Sequence, residues 1–452
     1  MDSHHHNYTE VRWKNFKGFA DTGWVKIRPI TVILGSNNSG KTNFLAPFLL
    51  MNQTVNSRDR LSPLILKGTL YDAGNYQEIA REYDVENEIY FGFKYHIHTT
   101  KDKLGEIGKY PPGGFDVTFN VESKEAEIRL KAMTIYDLFG RKFLSLSRNK
   151  SGSKKFVGIG KDTMTVREKK VISKSEPTNF LFSTNSILSN LESDGEKITR
   201  KIEQFSKGFS RFLSALSFNN ASVQKYLGEL SFLGPVRDNP HRIYEITNET
   251  YNTVGTKGEN MPNLLKKIGN GDNELNQWVK RFGFGDKVYL KKLYSNAYSL
   301  RFKKNRSKYY TSISNAGFGA SQILPLIVQA VVSPSRSITI AEQPEIHLNP
   351  KIQCELADLF VEMARKKQTV IVETHSEHLL LRLRRLIAED KVKAEDVAIY
   401  FVESNGIGST IRPITLQENG QIKSIDWPKD FFGESLKEAL IMATEQAKRK
   451  PR

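Results

Sequence analysis

One cysteine, Cys354, stands among 452 residues. A single thiol can build neither a disulfide framework nor a cysteine metal cluster, and here it reads as a small residue on a helix. A cytoplasmic setting is expected, because disulfides are rare there. No run of about 18 apolar residues occurs, so no membrane span is expected. The polar N-terminus lacks the apolar core of a secretory leader. His4, His5 and His6 read as a tag remnant and not as a metal site. Internal repeats and low-complexity stretches are also missing. Residues 188–230 place Ile202, Phe205, Phe209, Phe212 and Leu213 at mixed helical spacing. That stretch is too short and irregular for the sustained heptads of a long coiled coil, so a packed insertion is expected.

Acid is in deficit. Lys and Arg number 67 against 50 Asp and Glu, a formal charge of +17. Such an excess favours an anionic partner, although part of it can serve solubility alone. From Arg141 to Lys174 only Asp162 and Glu168 oppose a dense set of lysines and arginines, and Ser151-Gly152-Ser153 marks a loop within it. The segment reads equally as a DNA phosphate-backbone contact or as a solvated insertion that could dock an acidic partner.

What is present begins with Gly35-Ser36-Asn37-Asn38-Ser39-Gly40-Lys41-Thr42, a full match to G-x-x-x-x-G-K-[ST]. A β-branched run, Ile30 to Leu34, precedes it, and an apolar helical pattern starting at Asn43 follows, with Pro47 as an oddity. Strand, loop and helix in this order cradle phosphates. The glycines let backbone N–H groups approach the anion, and the helix N-terminus adds its dipole. Lys41 is expected on the β- and γ-phosphates and Thr42 on Mg²⁺.

A second strand–loop–helix–strand unit lies downstream. Ser337 to Ala341 reads as a buried strand ending in Glu342-Gln343-Pro344-Glu345, and Glu342 is expected to hold Mg²⁺. Lys351 to Lys366 carries apolar residues at helical spacing, and Thr369 to Val372 is a further β-branched run ending in Glu373-Thr374-His375-Ser376. This alternation predicts an α/β fold with parallel strands.

The pattern acid-x-Pro-Glu-x-His-Leu-x-Pro, followed by Glu-Thr-His-Ser, resembles the ABC-type ATPases of the RecF, SMC and OLD (overcome lysogenization defect) group. The resemblance implies a P-loop nucleotide-binding head with a mixed sheet and an inserted helical and basic region, using ATP and Mg²⁺. It makes Asn349 a D-loop residue and His375 the switch histidine on the γ-phosphate. It also implies a signature loop, here Ser314 to Gln322, whose Gly317 and Gly319 would face nucleotide held by a second copy. Gly317 replaces the usual signature serine. For the Q-loop glutamine at the metal, spacing from Lys41 prefers Gln77 to Gln53. Asn15-Phe16-Lys17, Leu233-Gly234-Pro235-Val236-Arg237, Val254 to Glu259 and Trp427-Pro428 carry the likeness along the chain, with 95–230 least anchored.

Members of that group usually place a glutamate after the Walker B acid, and here the residue is Gln343. An amide orients water but takes no proton at neutral pH. Three readings stay open: slow natural turnover, charge supplied by Glu345, or an engineered replacement of glutamate. By position the chain divides into 1–95 and 311–452, two parts of one head, around 96–310. Only about 75 residues follow His375, without a paired Asp-x-Asp at a strand end, so no nuclease is expected within the chain. The resemblance implies a slow ATPase acting as homodimer, sensor and scaffold for a separate nuclease or toxin in anti-phage defence. A RecF-type DNA-binding repair ATPase and a non-hydrolysing assembly module are the alternatives.

Overall fold

The computed structural model describes residues 8–95, 112–121, 127–137, 139–149, 154–158, 165–192, 206–304 and 307–423, with 438, 441, 442 and 444. The histidines at 4–6, Ile202, Phe205, the Ser151-Gly152-Ser153 loop, Trp427-Pro428 and the basic tail 448–452 lie outside the described residues.

The N-terminal strands are β1 (Tyr8–Phe16), β2 (Phe19–Asp21), β3 (Val25–Lys26) and β4 (Ile30–Gly35). Next come β5 (Ile89–Tyr95), β6 (Pro112–Asn120), β7 (Arg129–Asp137), β8 (Lys142–Arg148) and β9 (Lys154–Gly158). The later strands are β10 (Ser231–Leu233), β11 (Tyr244–Glu245), β12 (Lys287–Tyr294), β13 (Ala297–Lys303) and β14 (Tyr310–Ser312). The last four are β15 (Ile338–Glu342), β16 (Thr369–Glu373), β17 (Val397–Ser404) and β18 (Ser409–Ile414). Among the described residues, 14 strands form one mixed sheet in the order β10-β15-β16-β4-β17-β18-β2-β1-β5-β6-β7-β8-β9, with β3 on β1. Its β10-to-β17 part is parallel, and β1 with β5 to β9 are antiparallel.

Period-2 alternation makes the parallel part a wall between two cores. On β4, Ile33 faces one core while Ile30, Val32 and Leu34 face the other. Ile371 of β16 and Val402 of β17 join the first core, and Val370, Val372, Ile399 and Phe401 join the second. Helix α1 (Lys41–Val55) covers the first face. There Trp13 donates its indole N–H to the Phe44 carbonyl at 3.0 Å and packs edge-on against Phe48, Phe91 and Phe93. Helix α1 contains Pro47, although a proline N leaves the carbonyl four residues back without its usual donor.

Short α2 (Tyr76–Ile79) follows α1. Helices α3 (Val166–Lys174), α4 (Thr184–Glu192) and α5 (Lys207–Val223) accompany the antiparallel strands. On the second face lie α6 (Met261–Ile268), α7 (Asn273–Arg281), α8 (Phe318–Val332), α9 (Pro350–Arg365) and α10 (Glu377–Ala388). Cys354 lies on α9, as its neighbours suggested.

Residues 96–310 hold helices α3 to α7 and, beside them, strands that the helical reading did not name. Strands β6 to β9 continue the large sheet from β5, β10 adds a parallel edge strand, and β11 to β14 form a second sheet. In β6, Phe115, Val117 and Phe119 are buried at every second position with Asp116 and Thr118 between them, a strand period legible in the sequence. Within the basic segment 141–174, Arg141 pairs with Asp137 at 2.8 Å and Arg148 with Glu176 at 2.6 Å. Part of its charge is thus spent inside the fold. No described helix is long and apolar enough to cross a membrane.

Candidate functional site

Strands β4, β15 and β16 deliver their ends to one place. In register, Glu342 faces Glu373, and Glu373 faces Ile33 beside the phosphate loop. The loop leaves β4 at Gly35, exposes Ser36, Asn37 and Asn38, buries Ser39, and enters α1 at Lys41. A Cβ on Gly35 would stand 2.4 Å from the Val402 carbonyl of β17. Gly40 caps α1 at φ +104°, and a Cβ there would stand 2.6 Å from Ser409 Oγ of β18. Side chains are excluded at both positions, which lets the backbone amides line the loop.

Lys41 is buried; its Nζ donates to the Gly35 and Ser36 carbonyls at 3.1 and 2.7 Å and lies 4.0 Å from Glu373 Oε1. The Thr42 hydroxyl donates to Glu373 Oε2 at 3.1 Å. Asn43 follows, half-buried on α1. Glu373 thus holds both the loop cation and the loop hydroxyl. The sequence reading named it only as the first letter of Glu-Thr-His-Ser. The signal that singled out Glu342, an acid ending a buried β-branched strand, applied equally to Glu373.

Two further carboxylates converge here. Glu342 is buried, and its Oε1 has no hydrogen-bond partner among the described residues. Glu345 accepts from the His375 backbone N–H at 2.7 Å. Arg237 was quoted only as part of a family-like segment, and it lies buried between these acids. Its Nη2 donates to the Glu342 carbonyl at 2.9 Å and its Nη1 to the Gln343 carbonyl at 3.4 Å. Gln343 has a left-handed backbone, φ +44°, and its N–H donates to the Glu373 carbonyl at 2.7 Å. A non-glycine residue in that conformation is strained and must be held by its surroundings.

Burial sets the titration of the cluster. It pushes the Glu342 carboxyl up to about 8, helped by the negative charge of Glu373 and opposed by Arg237. Burial also raises Glu373, against the pull of Lys41, and Glu345, against hydrogen bonds from the backbone. It brings Arg237 down to about 10, still cationic at neutral pH. Burial and then Lys41 lower His375, which favours a neutral imidazole there. Three carboxylates (Glu342, Glu345 and Glu373) face two cations (Lys41 and Arg237). Fully ionised, the cluster carries one unbalanced negative charge, and Glu342 keeps an unpartnered oxygen. These groups fit Mg²⁺, which Thr42, Glu342 and Glu373 can hold; when bound it would neutralise charge developing on a transferring phosphoryl group.

A pH test follows from the raised Glu342. The folded state keeps that proton up to about pH 8, whereas an unfolded glutamate loses it near ~4.3. The folded state binds more protons in this window, so the group's contribution to stability is lost as pH rises from about 4.3 to 8. Urea denaturation without divalent ions should show wild-type stability falling from pH 6 to 8.5 more than that of Glu342→Gln, and Mg²⁺ should flatten the difference. Equal slopes in both proteins would sink the assignment.

The other expected residues separate. Gln53 is occupied structurally: its amide donates to the Ile65 carbonyl at 2.7 Å and accepts from Tyr71 N–H at 3.3 Å. Gln77 is half-buried on α2, which is tied to the end of β1 by Lys17 N–H to the Ile79 carbonyl at 2.7 Å. Among the described residues no hydrogen bond brings it to Thr42 or Glu342. Asn349 caps α9, accepting from Ile352 N–H at 3.1 Å. Gly317 is exposed at the start of α8 with φ +89°, and nothing lies within 4 Å of where its Cβ would be. Gly319 is crowded by the His347 carbonyl at 3.0 Å, and Phe318 stands edge-on to His347, ring centroids 4.8 Å apart.

A family model described as AAA ATPase domain matches residues 9–380. The chain belongs to this AAA ATPase family. As a member it is an ATPase, and ATPases of this kind use ATP and typically Mg²⁺. Residues 392–440 match a second family, described as protein of unknown function (DUF3696). No curated protein matches the chain. Similar solved structures include an SMC head bound to the C-terminal winged-helix domain of ScpA, at TM-score 0.41 and 13% identity, covering 91% of this chain and 98% of that one. The SMC head domain from Thermotoga maritima gives 0.39 and 11%, covering 90% and 99%. An SMC head with an extended coiled coil bound to the C-terminal domain of ScpA, derived from Pyrococcus furiosus, gives 0.39 and 12%, covering 98% and 99%.

Proposed function

We propose that this AAA-family ATPase works as an ABC-type head whose ATP sites are completed by a second copy meeting it head to head. The observation that carries this reading is Gly317. It opens a 15-residue helix, α8, yet stands exposed and uncrowded, while the adjacent Gly319 packs on His347 of its own chain. A helix N-terminus with free approach suits the γ-phosphate of nucleotide held by a partner. In this reading the loop Gly35 to Thr42 with Asn43 holds ATP, and Thr42, Glu342 and Gln77 serve Mg²⁺. Gln343 orients the attacking water, His375 contacts the γ-phosphate, and Asn349 lies at the junction between copies. Glu373 adds a carboxylate to the set.

Turnover is slow in this reading because Gln343 cannot take a proton. A long-lived ATP-bound dimer suits a sensor and scaffold for a separate effector, a nuclease or toxin, in anti-phage defence in the cytoplasm. The experiment is mass in solution together with phosphate release, with ATP and Mg²⁺. Wild type should dimerise with ATP, and Gln343→Glu should raise turnover by about tenfold, a modest share of what a placed general base supplies. A mass that nucleotide leaves unchanged in both proteins would remove the head-to-head site.

A further inference from the structure

Between Asp286 and Glu342 the chain carries no aspartate or glutamate, yet nine lysines and arginines fall there. Its first part supplies β12, β13 and β14 of the second sheet, where β13 pairs with β11, β12 and β14. Alternation splits its two faces. Val288, Leu290, Leu300 and Phe302 turn into the core. Register sets Lys287 opposite Lys303, Tyr289 opposite Arg301, and Lys303 opposite Tyr310 on the other face.

On that face aromatic and cationic groups interleave. The Tyr289 and Tyr310 rings meet edge to face at 5.4 Å, and Lys303 Nζ lies 5.4 Å from the Tyr310 centroid. Tyr310 is 44% exposed, and neighbouring Tyr309 is 81% exposed. Among the described residues, none of Lys287, Arg301 and Lys303 is ion-paired, whereas Arg281, a few residues earlier, is held by Glu355 and Asp358. Of the acids here, Glu245 on β11 lies opposite Ala297, at the far end of β13 from Lys303, and Asp286, whose N–H donates to the Lys303 carbonyl at 2.8 Å, pairs its carboxylate with Lys280 at 3.3 Å. Arg301 Nε donates to Ser299 Oγ at 3.1 Å, and no carboxylate neutralises these three cations among the described residues. Cations without acidic partners beside exposed rings on an open sheet match a strand with charged phosphates and unstacked bases. A duplex hides the base faces that rings would stack on.

We propose that the outer face of the β11–β14 sheet binds single-stranded nucleic acid, with Lys287, Arg301 and Lys303 on phosphates and Tyr289 and Tyr310 stacking on bases. This surface lies outside the basic segment 141–174 and the phosphate loop, and its test needs no nucleotide.

The test is fluorescence anisotropy of the full chain with labelled 20-mers of oligo-dT and oligo-rU, and a mixed-sequence duplex, across a salt series without nucleotide. Wild type should bind single strands more tightly than duplex. Tyr289→Ala with Tyr310→Ala should weaken single-strand binding by about tenfold or more. Tyr289→Phe with Tyr310→Phe, which keeps the rings, should retain it. Lys287→Gln with Lys303→Gln should lower the slope of log affinity against log salt by about 1.4, for two phosphates on a single strand. Lys142→Gln with Arg148→Gln, in the basic segment, should leave binding unchanged. The proposal is overturned if wild type binds no single strand, if the Tyr-to-Ala pair is silent while duplex binds equally well, or if the Lys142 and Arg148 pair removes binding instead. An oligo-dT or oligo-rU preference names the strand as DNA or RNA.

Discussion

Replacing Lys41 by alanine is expected to cut ATP turnover by about 10²–10³-fold, the loss typical for one preorganised group facing developing charge. The ammonium is fixed by the Gly35 and Ser36 carbonyls and lies 4.0 Å from Glu373 inside a buried site. A charge so placed acts through a low dielectric and needs no reorganisation at the moment of reaction. Alanine has a second effect. It leaves Glu342, Glu345 and Glu373 opposed by Arg237 alone, so the variant should also lose stability, and Mg²⁺ should restore more of it than in wild type. Steady-state phosphate release at saturating ATP, with urea denaturation in parallel, separates the two. Wild-type turnover in a folded Lys41→Ala protein would mean that the loop holds no phosphate.

The second large effect is expected at Arg237, because no other described cation contacts the Glu342–Gln343 backbone. Arg237→Met keeps much of the side chain's volume and removes both donors and the charge. The carbonyls of Glu342 and Gln343 lose their hydrogen bonds, and the left-handed peptide at Gln343 loses a restraint. Glu342 and Glu345 lose the positive charge buried beside them. Breaking one side of such a buried arrangement costs about 3–5 kcal/mol. Urea denaturation at pH 7 should show a loss of that order, and turnover should fall as well, because Glu342 and Gln343 shift together. Arg237→Lys should land between the two, since an ammonium supplies the charge without the planar fork that reaches two carbonyls. A loss below about 1 kcal/mol in Arg237→Met would show that neither the two carbonyls nor the carboxylate of Glu345 depends on the guanidinium.

The parts of the site visible in the sequence were those written locally. Gly35 to Thr42 carries its meaning in eight consecutive residues, and Glu342 announces itself by ending a β-branched run. Glu373 carried the same local signal, but its partners, and the role of Arg237, became visible only through pairing. Glu373 acts because β16 lies between β4 and β15, and Arg237 because β10 adds to the far side of β15 and carries the following chain to the ends of those strands. No local spacing contains that information. Spacing preferred Gln77 to Gln53, and two hydrogen bonds hold Gln53 in a structural place that no spacing reveals. Of the strands in 96–310, β6 alternates cleanly in the sequence, whereas lysines dilute the pattern of β9 and β12, which lie at sheet edges where lysine is common.

The placement of β4 has a consequence for how the protein comes off the ribosome. Its phosphate-loop strand ends at Gly35, but its two sheet neighbours begin only at Thr369 and Val397. At about 5–20 residues per second, this strand is made early and waits for nearly the whole chain before both its edges are covered. β1 and β5 are complete by Tyr95 and can pair with each other long before that. The nascent protein therefore carries an aromatic lobe that can settle early beside a β-branched strand with open edges, the kind of surface that recruits the wrong partner. The boundary between the two matched families, at 380–392, falls inside this wait. It divides one sheet, so translation halted there would release a head with one side of its ATP-binding strand unpaired.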